Sequence, residues 1–351
     1  MSKQTLAVKY RPQTFSDVVE QGAIKNILQD QIATETFKHA YLFCGPAGCG
    51  KTTAARIFAH DINKGQGNPI EVDAASNNGV DNVREIIDGA RRKALDSDYK
   101  VYIIDECHML STGAWNAMLK LLEEPPKTTV FIMCTTDPQK IPATILSRVQ
   151  RYDFSKISLN SIVSRLKTII AWENEEVLEQ GGPDGAFDYE EGAIQYIAKM
   201  ADGGMRDSIT MLDKCMSLSS DLTVENVVKA LGTVDYQTHF SLLRDVSTGM
   251  AQAAIKTIED VYNSGKDLKQ FIKQFQYFVL DVCKYKMFGS FDFINIPDLP
   301  EYRDALNDED GELDLQVLAW VRKLNSDIKW ESNPKAIVET AIVLYGTEGE
   351  E

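Results

Sequence analysis

No stretch of this sequence stays apolar for the roughly 18 residues that a bilayer-crossing helix needs, which excludes a helical membrane span. The first ten residues, Met1 to Tyr10, hold two lysines and no apolar core, so they do not make a secretory signal. The six cysteines (Cys44, Cys49, Cys107, Cys134, Cys215 and Cys283) include no C-x-x-C pair and no paired framework. Four of them fall in or beside expected strands and a glycine-rich loop, where a disulfide would obstruct function, so they read as reduced thiols of a cytoplasmic protein. Internal repeats and low-complexity tracts are lacking too. So is any excess of basic charge: the formal net charge is −15. That deficit is uneven, with 19 Lys and Arg against 18 Asp and Glu in residues 1–156 but 18 against 34 in the remainder. A polyanion could be met by the first part and hardly by the second.

What the chain does hold is a compact phosphate-binding signature. Tyr41-Leu42-Phe43-Cys44 reads as a short buried strand, Gly45-Pro46-Ala47-Gly48-Cys49-Gly50-Lys51-Thr52 as a glycine-rich loop, and the run from Thr53 to Ala59 as a helix. In the pattern G-x-x-x-x-G-K-T, glycines let the backbone turn its N–H groups inward, and the helix N-terminus adds the positive end of a dipole. Lys51 would reach the β- and γ-phosphates of a nucleoside triphosphate, and the Thr52 hydroxyl would ligate Mg²⁺.

Length and a 44% hydrophobic composition allow two or three domains with buried cores. Helical periodicity is expected over Gly22 to Ile32, Val80 to Leu95 and Gly113 to Leu122, the last stopped by Pro125-Pro126. Ile70 to Val72, Val101 to Ile104 and Val130 to Cys134 read as further strands. Apolar strands alternating with helices imply an α/β domain with a parallel sheet covered on both faces. From about Ile157 helices take over: Ile162 to Trp172, Glu191 to Ala201, Met205 to Met216, Val224 to Leu231, Leu242 to Val261 and Leu268 to Phe288. Glu179 to Gly185 and Asn307 to Glu312 read as loops. The expected domains are 1–156, 157–234 and 235–351.

A second chemical feature is Asp105-Glu106 at the tip of the strand Val101 to Ile104. Asp105 would hold the Mg²⁺ shell, partly through water, and Glu106 would activate the attacking water as general base. The alternative is two acids that merely end a strand. His108, with no companion ligands nearby in sequence, reads as a supporting or surface residue rather than a metal ligand.

The run Tyr10-Arg11-Pro12, GPAGCGKT, IEVDAAS, DECHML, LLEEPP, TTDPQKIP and ILSR, in that order, resembles an AAA+ clamp-loader ATPase, above all the gamma/tau subunits of the bacterial DNA polymerase III clamp loader. Replication factor C small subunits are more distant relatives. The resemblance is dense over the first domain, continues through Gly203-Gly204-Met205-Arg206-Asp207-Ser208 and Leu231-Gly232-Thr233-Val234-Asp235, and thins beyond. It implies an AAA+ P-loop domain followed by a small helical lid and a C-terminal all-α collar that oligomerises. It implies an ATPase, with ATP and Mg²⁺ as cofactors, that couples hydrolysis to clamp opening and loading on primer–template DNA in replication. Its partners would be other loader subunits in a homo- and hetero-oligomeric, pentameric ring or spiral, the sliding clamp, and DNA held by its backbone.

Residue by residue, the resemblance makes Arg148 an arginine finger acting on a neighbouring subunit's nucleotide, with Val149 where the family has Cys; the alternative is a helix C-terminal cap. Arg206 matches the lid arginine that senses the γ-phosphate, or else pairs with Asp202 one turn back. Thr135 or Thr136, the latter preferred, matches the hydroxyl sensor. Arg11, Pro12 and Val19 match the adenine pocket, and the loop from Gly45 to Thr53 the phosphate site. Asn77, Asn78 and Gly79, and Ser111, Thr112 and Gly113, match helix N-termini that hold DNA phosphates, or are plain N-caps. The family's four-cysteine zinc module has no counterpart between His60 and Pro69, so no zinc is expected, and neither is the long C-terminal extension of some relatives. Two other readings stand beside the first. A branch-migration ring helicase would need a C-terminal winged-helix pattern, and a non-hydrolysing stator would tolerate loss of Lys51, Thr52, Asp105 or Glu106, all of which are present.

Overall fold

The computed structural model of the chain describes residues 4–94, 96–179, 186–231, 236–308 and 311–348. It gathers into two compact units, one drawn from residues 1–187 with 197–217 and the other from 188–196 with 218–351. Of the loop expected over Glu179 to Gly185, Glu179 is instead the last residue of a helix and 180–185 lie outside the described residues, as do 232–235 with the expected boundary at 234/235.

The first unit is built on alternating helices and strands: α1 (Leu6–Lys9), α2 (Gly22–Ala33), β1 (Ala40–Cys44), α3 (Lys51–Ile62), β2 (Ile70–Asp73), α4 (Val80–Ala90), β3 (Lys100–Asp105), α5 (Thr112–Glu123), β4 (Thr129–Thr135), α6 (Ala143–Leu146), β5 (Gln150–Asp153) and α7 (Leu159–Glu179). The five strands form one parallel sheet in the order β2-β3-β4-β1-β5. Period-2 alternation divides its side chains between two cores. Leu42, Ile104, Phe131 and Met133 face one side with Val83 and Ile86 of α4 and Trp115 and Met118 of α5. Tyr41, Phe43, Ile103 and Ile132 face the other with Leu28 of α2 and Ile57 and Phe58 of α3. Each such burial contributes about 1.5–3 kcal/mol, and it explains why β1 and the middles of β3 and β4 are apolar without alternation.

β5 escapes the sequence reading because it is a four-residue edge strand. Only Tyr152 in it, with Phe154 just beyond, is buried, the period-2 signature of one covered face. α4 stops at Ala90, short of the expected Leu95. Its last carbonyls are taken by distant side chains, Gly89 by the Lys100 ammonium (2.8 Å) and Ala90 by the Thr129 hydroxyl (2.9 Å). Leu95 lies outside the described residues. α7 runs further than its expected core of Ile162 to Trp172.

Beyond α7 come β6 (Asp188–Tyr189), α8 (Glu191–Met200), α9 (Met205–Leu218), β7 (Asp221–Leu222), α10 (Val224–Leu231), α11 (Tyr236–Ser247), α12 (Ala251–Asn263), α13 (Leu268–Phe288), α14 (Pro300–Asp308), α15 (Gly311–Asp327) and α16 (Pro334–Glu348). β6 and β7 pair as a two-residue parallel ladder in the second unit. Helices α11 to α16 share one apolar core around Leu243, Ile258, Phe275, Val282, Val321 and Val338. The helix expected from Leu242 to Val261 is two helices. Gly249, at φ +71°, breaks it, and the Met250 N–H turns back to the Asp245 carbonyl at 2.8 Å. The expected acidic loop at Asn307 to Glu312 is instead mostly helix end and helix start, its centre at 309–310 lying outside the described residues. Among the described residues no helix is long and apolar enough to cross a membrane.

Candidate active site

β1 is the point where the sheet order reverses, its neighbours β4 and β5 leading opposite ways, and an open parallel sheet leaves a crevice beyond the strand ends there. The glycine-rich loop occupies that place. The Gly45 N–H donates to the Thr135 carbonyl (3.2 Å), and the Phe154 N–H donates to the Cys44 carbonyl (2.7 Å). Gly45 has φ +151°, and a Cβ there would stand 2.5 Å from the Phe154 carbonyl oxygen, so backbone geometry and space both require glycine. The next glycine to touch another segment is Gly48, whose carbonyl accepts the Met205 N–H at 3.0 Å and so joins the loop to the first residue of α9.

Lys51, the first residue of α3, is 5% exposed, and its ammonium donates to the carbonyls of Gly45 (2.9 Å) and Pro46 (2.8 Å). Among the described residues no carboxylate pairs with it. A buried cation held only by loop carbonyls has a proton left for an anion and no counter-charge to compete. The Thr52 hydroxyl donates to Asp105 Oδ2 at 2.9 Å, so β3 delivers its terminal carboxylate to the loop. These groups fit a phosphate chain with a divalent cation: a glycine-rich loop at a helix N-terminus, one ammonium with no carboxylate partner among the described residues, and a hydroxyl beside a carboxylate. Among the described residues no group of three or more His, Cys, Asp or Glu side chains is placed to hold a metal.

Glu106 stands in the left-handed region at φ +45°, ψ +44°, an uncommon place for a residue with a side chain. Its N–H donates to Asp105 Oδ1 (3.0 Å), which fixes the pair of acids relative to each other. Its Oε2 accepts the Thr136 hydroxyl (2.9 Å) and N–H (3.3 Å) and lies 3.2 Å from His108 Nδ1. The neighbouring Thr135 is fully buried, with its Oγ1 accepting the Asp137 N–H at 3.0 Å and lying 3.1 Å from His108 Nδ1. Of the two threonines, Thr136 is therefore the one that touches Glu106.

A cavity of about 260 Å³ opens on these groups. Its wall includes Arg11, Pro12, Val19, the loop from Ala47 to Thr53, Asp105, Glu106 and Arg206. Arg206, in the first turn of α9, makes no ion pair among the described residues, and Asp202 is paired with Lys156 instead (2.6 Å). Burial, then the positive charges of Arg56 and Arg206, holds the Arg11 pKa below its ordinary value. Arg56 is paired with Glu71 (2.5 Å), whereas Arg11 and Arg206 make no ion pair among the described residues. Tyr10, Arg165 and Met205 also line the cavity, although the sequence reading did not single them out as site residues. Tyr10 and Met205 adjoin residues that it did mark, whereas nothing local marks a mid-helix arginine such as Arg165.

Arg148 is not among the residues lining this cavity. It follows α6 with its guanidinium on Glu123 Oε1 (2.6 Å from Nη2, 3.1 Å from Nε) and on the Thr144 carbonyl (2.6 Å from Nη1). The N-termini of α4 and α5 lie side by side, the Ser111 N–H donating to the Asn78 carbonyl at 3.1 Å. Ser111 caps α5 through the Ala114 N–H (3.2 Å), Asn77 is tied to the Asp73 carbonyl (3.0 Å), and Asn78 and Thr112 are exposed. Gly79 is the N-cap of α4 without a side chain to cap it, and Gly113 sits in the first turn of α5. Cys49 is buried, and burial raises its thiol pKa against the pull of Lys51, which keeps it protonated and unreactive rather than poised for oxidation.

Residues 64–158 match the family model "DNA polymerase III, delta subunit", residues 162–221 "DNA polymerase III clamp loader subunit, ATPase lid domain", and residues 222–318 "DNA polymerase III subunits gamma and tau domain III". The chain is 37% identical to the DNA polymerase III subunit tau of Bacillus subtilis over 98% of its own length and 63% of that protein's. It is 34% identical to subunit tau of Escherichia coli over 76% of its length and 43% of that protein's. Against subunit gamma of Buchnera aphidicola it is 37% identical over 66% of its length and 65% of that protein's. The chain thus spans less than two thirds of these relatives. Among solved structures it is similar to the RuvB Holliday junction branch migration motor of Thermotoga maritima, with a TM-score of 0.52 and 17% identity over 68% of this chain and 79% of that one, a likeness of fold.

Proposed function

The chain belongs to the clamp-loader gamma/tau subunit family of DNA polymerase III, with an AAA+ P-loop parallel sheet, a helical lid and a C-terminal helical domain, and on that premise we propose that it is an ATP-hydrolysing subunit of a loader that opens a sliding clamp and places it on primer–template DNA. The observation that carries this is the buried, unpaired Lys51 ammonium beside the Thr52–Asp105 pair and Glu106, all at the mouth of one cavity.

Lys51 and the inward loop N–H groups bind and orient a triphosphate, and Arg206 faces its far end from the lid. Thr52 and Asp105 would hold Mg²⁺, which would supply charge neutralisation to the phosphate chain. Glu106 takes the proton of the attacking water at a carboxylate oxygen, positioned by the Thr136 hydroxyl. Arg11, Pro12 and Val19 enclose the base. Arg148, standing apart from its own chain's cavity, serves a neighbour's nucleotide in trans, so that turnover waits on assembly. Asn77, Asn78, Ser111 and Thr112 give DNA phosphates two adjacent helix N-termini. The core, lid and collar of this subunit are 1–156, 157–234 and 235–351, the collar joining it to the other subunits.

ATP hydrolysis measured with and without primed DNA plus the cognate clamp tests this function. Stimulation by the pair is expected. Turnover indifferent to both would remove the clamp-loader function and leave a P-loop ATPase.

A further inference from the structure

The segment Thr5–Arg11 forms part of the cavity wall through Ala7, Tyr10 and Arg11, yet it is not held by the sheet that carries the phosphate loop. Among the described residues, each hydrogen bond that leaves it for another element ends on α7 or α9. The Leu6 N–H donates to Asp213 Oδ2 on α9 at 3.1 Å. Lys9 Nζ and the Tyr10 hydroxyl donate to the same oxygen of Glu173 on α7, at 2.6 and 2.8 Å, and Lys9 also reaches Glu176. Arg165 Nη2, also on α7, donates to the Tyr10 carbonyl at 3.2 Å. The Tyr10 ring stacks on Trp172 at 5.3 Å between centroids, and the Arg165 guanidinium lies 4.9 Å from the Trp172 ring centre. Four residues on, the chain changes hosts: Phe15 and Val18 are buried in the sheet's own core with α2 and α3. Between the two attachments, Thr14 and Asp17 close a turn of their own, with the Thr14 hydroxyl on Asp17 Oδ2 at 2.8 Å.

From these attachments we infer that Thr5–Arg11 is a nucleotide-positioning strap carried by the lid helices α7 and α9, with Glu173 as its positioning residue. This deepens the ATP site proposed above and rests on it. Glu173 is 4% exposed, and among the described residues both donors to its Oε1, the Lys9 ammonium and the Tyr10 hydroxyl, belong to the strap. Burial, then the bond to Glu173, pushes the Tyr10 phenol up to about 12, so its proton stays available for donation at any working pH. The phosphate end of the cavity is fixed to the sheet by β1 and β3 and is tied to α9 at the Gly48 carbonyl, whereas this wall is held by side chains along α7 and α9. A shift of those helices therefore moves the strap relative to Lys51, and closure of the cavity on a nucleotide becomes a lid movement transmitted through Glu173, Trp172 and Arg165.

The test is ATP affinity of the full chain, by direct titration in Mg²⁺, together with steady-state turnover in the assembled loader, for Glu173→Ala, Tyr10→Phe, the double variant and Lys51→Ala. Glu173→Ala leaves Tyr10 without its acceptor and Lys9 with Glu176 alone, and is expected to weaken ATP about tenfold, and Tyr10→Phe about threefold. The loss should fall on KM rather than kcat. The double variant should be no weaker than Glu173→Ala, because the two share one bond. Tyr10→Phe keeps the ring stacked on Trp172, so it stands as the test if Glu173→Ala does not fold. Wild-type affinity in Tyr10→Phe and in folded Glu173→Ala, with binding lost in Lys51→Ala, would overturn the strap and leave the ATP site intact. Unchanged affinity in Lys51→Ala would overturn both.

Discussion

Replacing Glu106 by Gln separates chemistry from structure at a single atom pair. The amide is isosteric with the carboxylate, so the Thr136 hydroxyl, 2.9 Å from Oε2, can still donate to the amide oxygen. The backbone conformation at φ +45° is unchanged by the swap. The side chain is 37% exposed, so the lost charge costs the fold little, about 0.5 kcal/mol for weakening one partly solvated hydrogen bond. Turnover is another matter. A positioned general base contributes about 10²–10⁴ in rate, and at about 1.4 kcal/mol per decade its removal raises the barrier by roughly 3–5.5 kcal/mol. The assay is ATP turnover in the presence of clamp and primed DNA, beside ATP affinity and the urea midpoint of the same preparation. Hydrolysis should fall at least about a hundredfold while affinity and midpoint hold. A loss below about threefold with binding intact would show that Glu106 takes no proton. Thr136→Val, which removes the hydroxyl but keeps the N–H at 3.3 Å, should cost about tenfold, the size of a positioning defect and well short of the base itself.

Three further outcomes follow from the geometry. Gly45→Ala should destabilise the chain by about 2–4 kcal/mol, since its Cβ meets the Phe154 carbonyl oxygen at 2.5 Å, whereas Gly50→Ala, at φ +104° with nothing within 4 Å, should cost only the torsional part, about 1–2 kcal/mol; equal urea midpoints would refute the steric difference. Arg148→Ala should abolish turnover that depends on assembly and leave ATP affinity of the isolated subunit nearly unchanged; a fully active isolated subunit that loses nothing would remove the role in trans. Hydrogen bonds from Ser158, then Ser161, lower the Glu20 pKa, so its contribution to stability is complete above the ordinary carboxylate range and disappears as pH falls through the lowered value; unfolding midpoints between about pH 5 and 3 should fall less steeply for Glu20→Gln than for the parent.

The legibility of this molecule tracks how far apart in sequence the cooperating atoms lie. The phosphate loop is readable because its donors, its lysine and its threonine occupy eight consecutive residues, and β1, β3 and β4 because burial on both faces makes their central positions apolar. β5 was not, since one covered face leaves a polar-looking Gln150-Arg151-Tyr152-Asp153. The end of α4 depends on Lys100 and Thr129 reaching back to its carbonyls, which no local propensity encodes. The same distinction runs through the candidate site. Asp105 is brought to Thr52 across 53 residues by a sheet in which β4 lies between β3 and β1, yet each announces itself by its own local pattern, so both are legible in the sequence. Glu173 announces nothing: it is one acid among several on α7, and its place becomes visible only when Lys9 and Tyr10, more than 160 residues earlier, are found on its oxygen. Arg148 is the converse case. It has a local pattern but no partner in its own cavity, and its bonds to Glu123 and Thr144 satisfy it within the single chain. If it serves a neighbour, assembly must offer that guanidinium more than one half-exposed carboxylate and one carbonyl do. A triphosphate's charge does so only once ATP is bound next door, which would make the nucleotide itself part of what draws the subunits together.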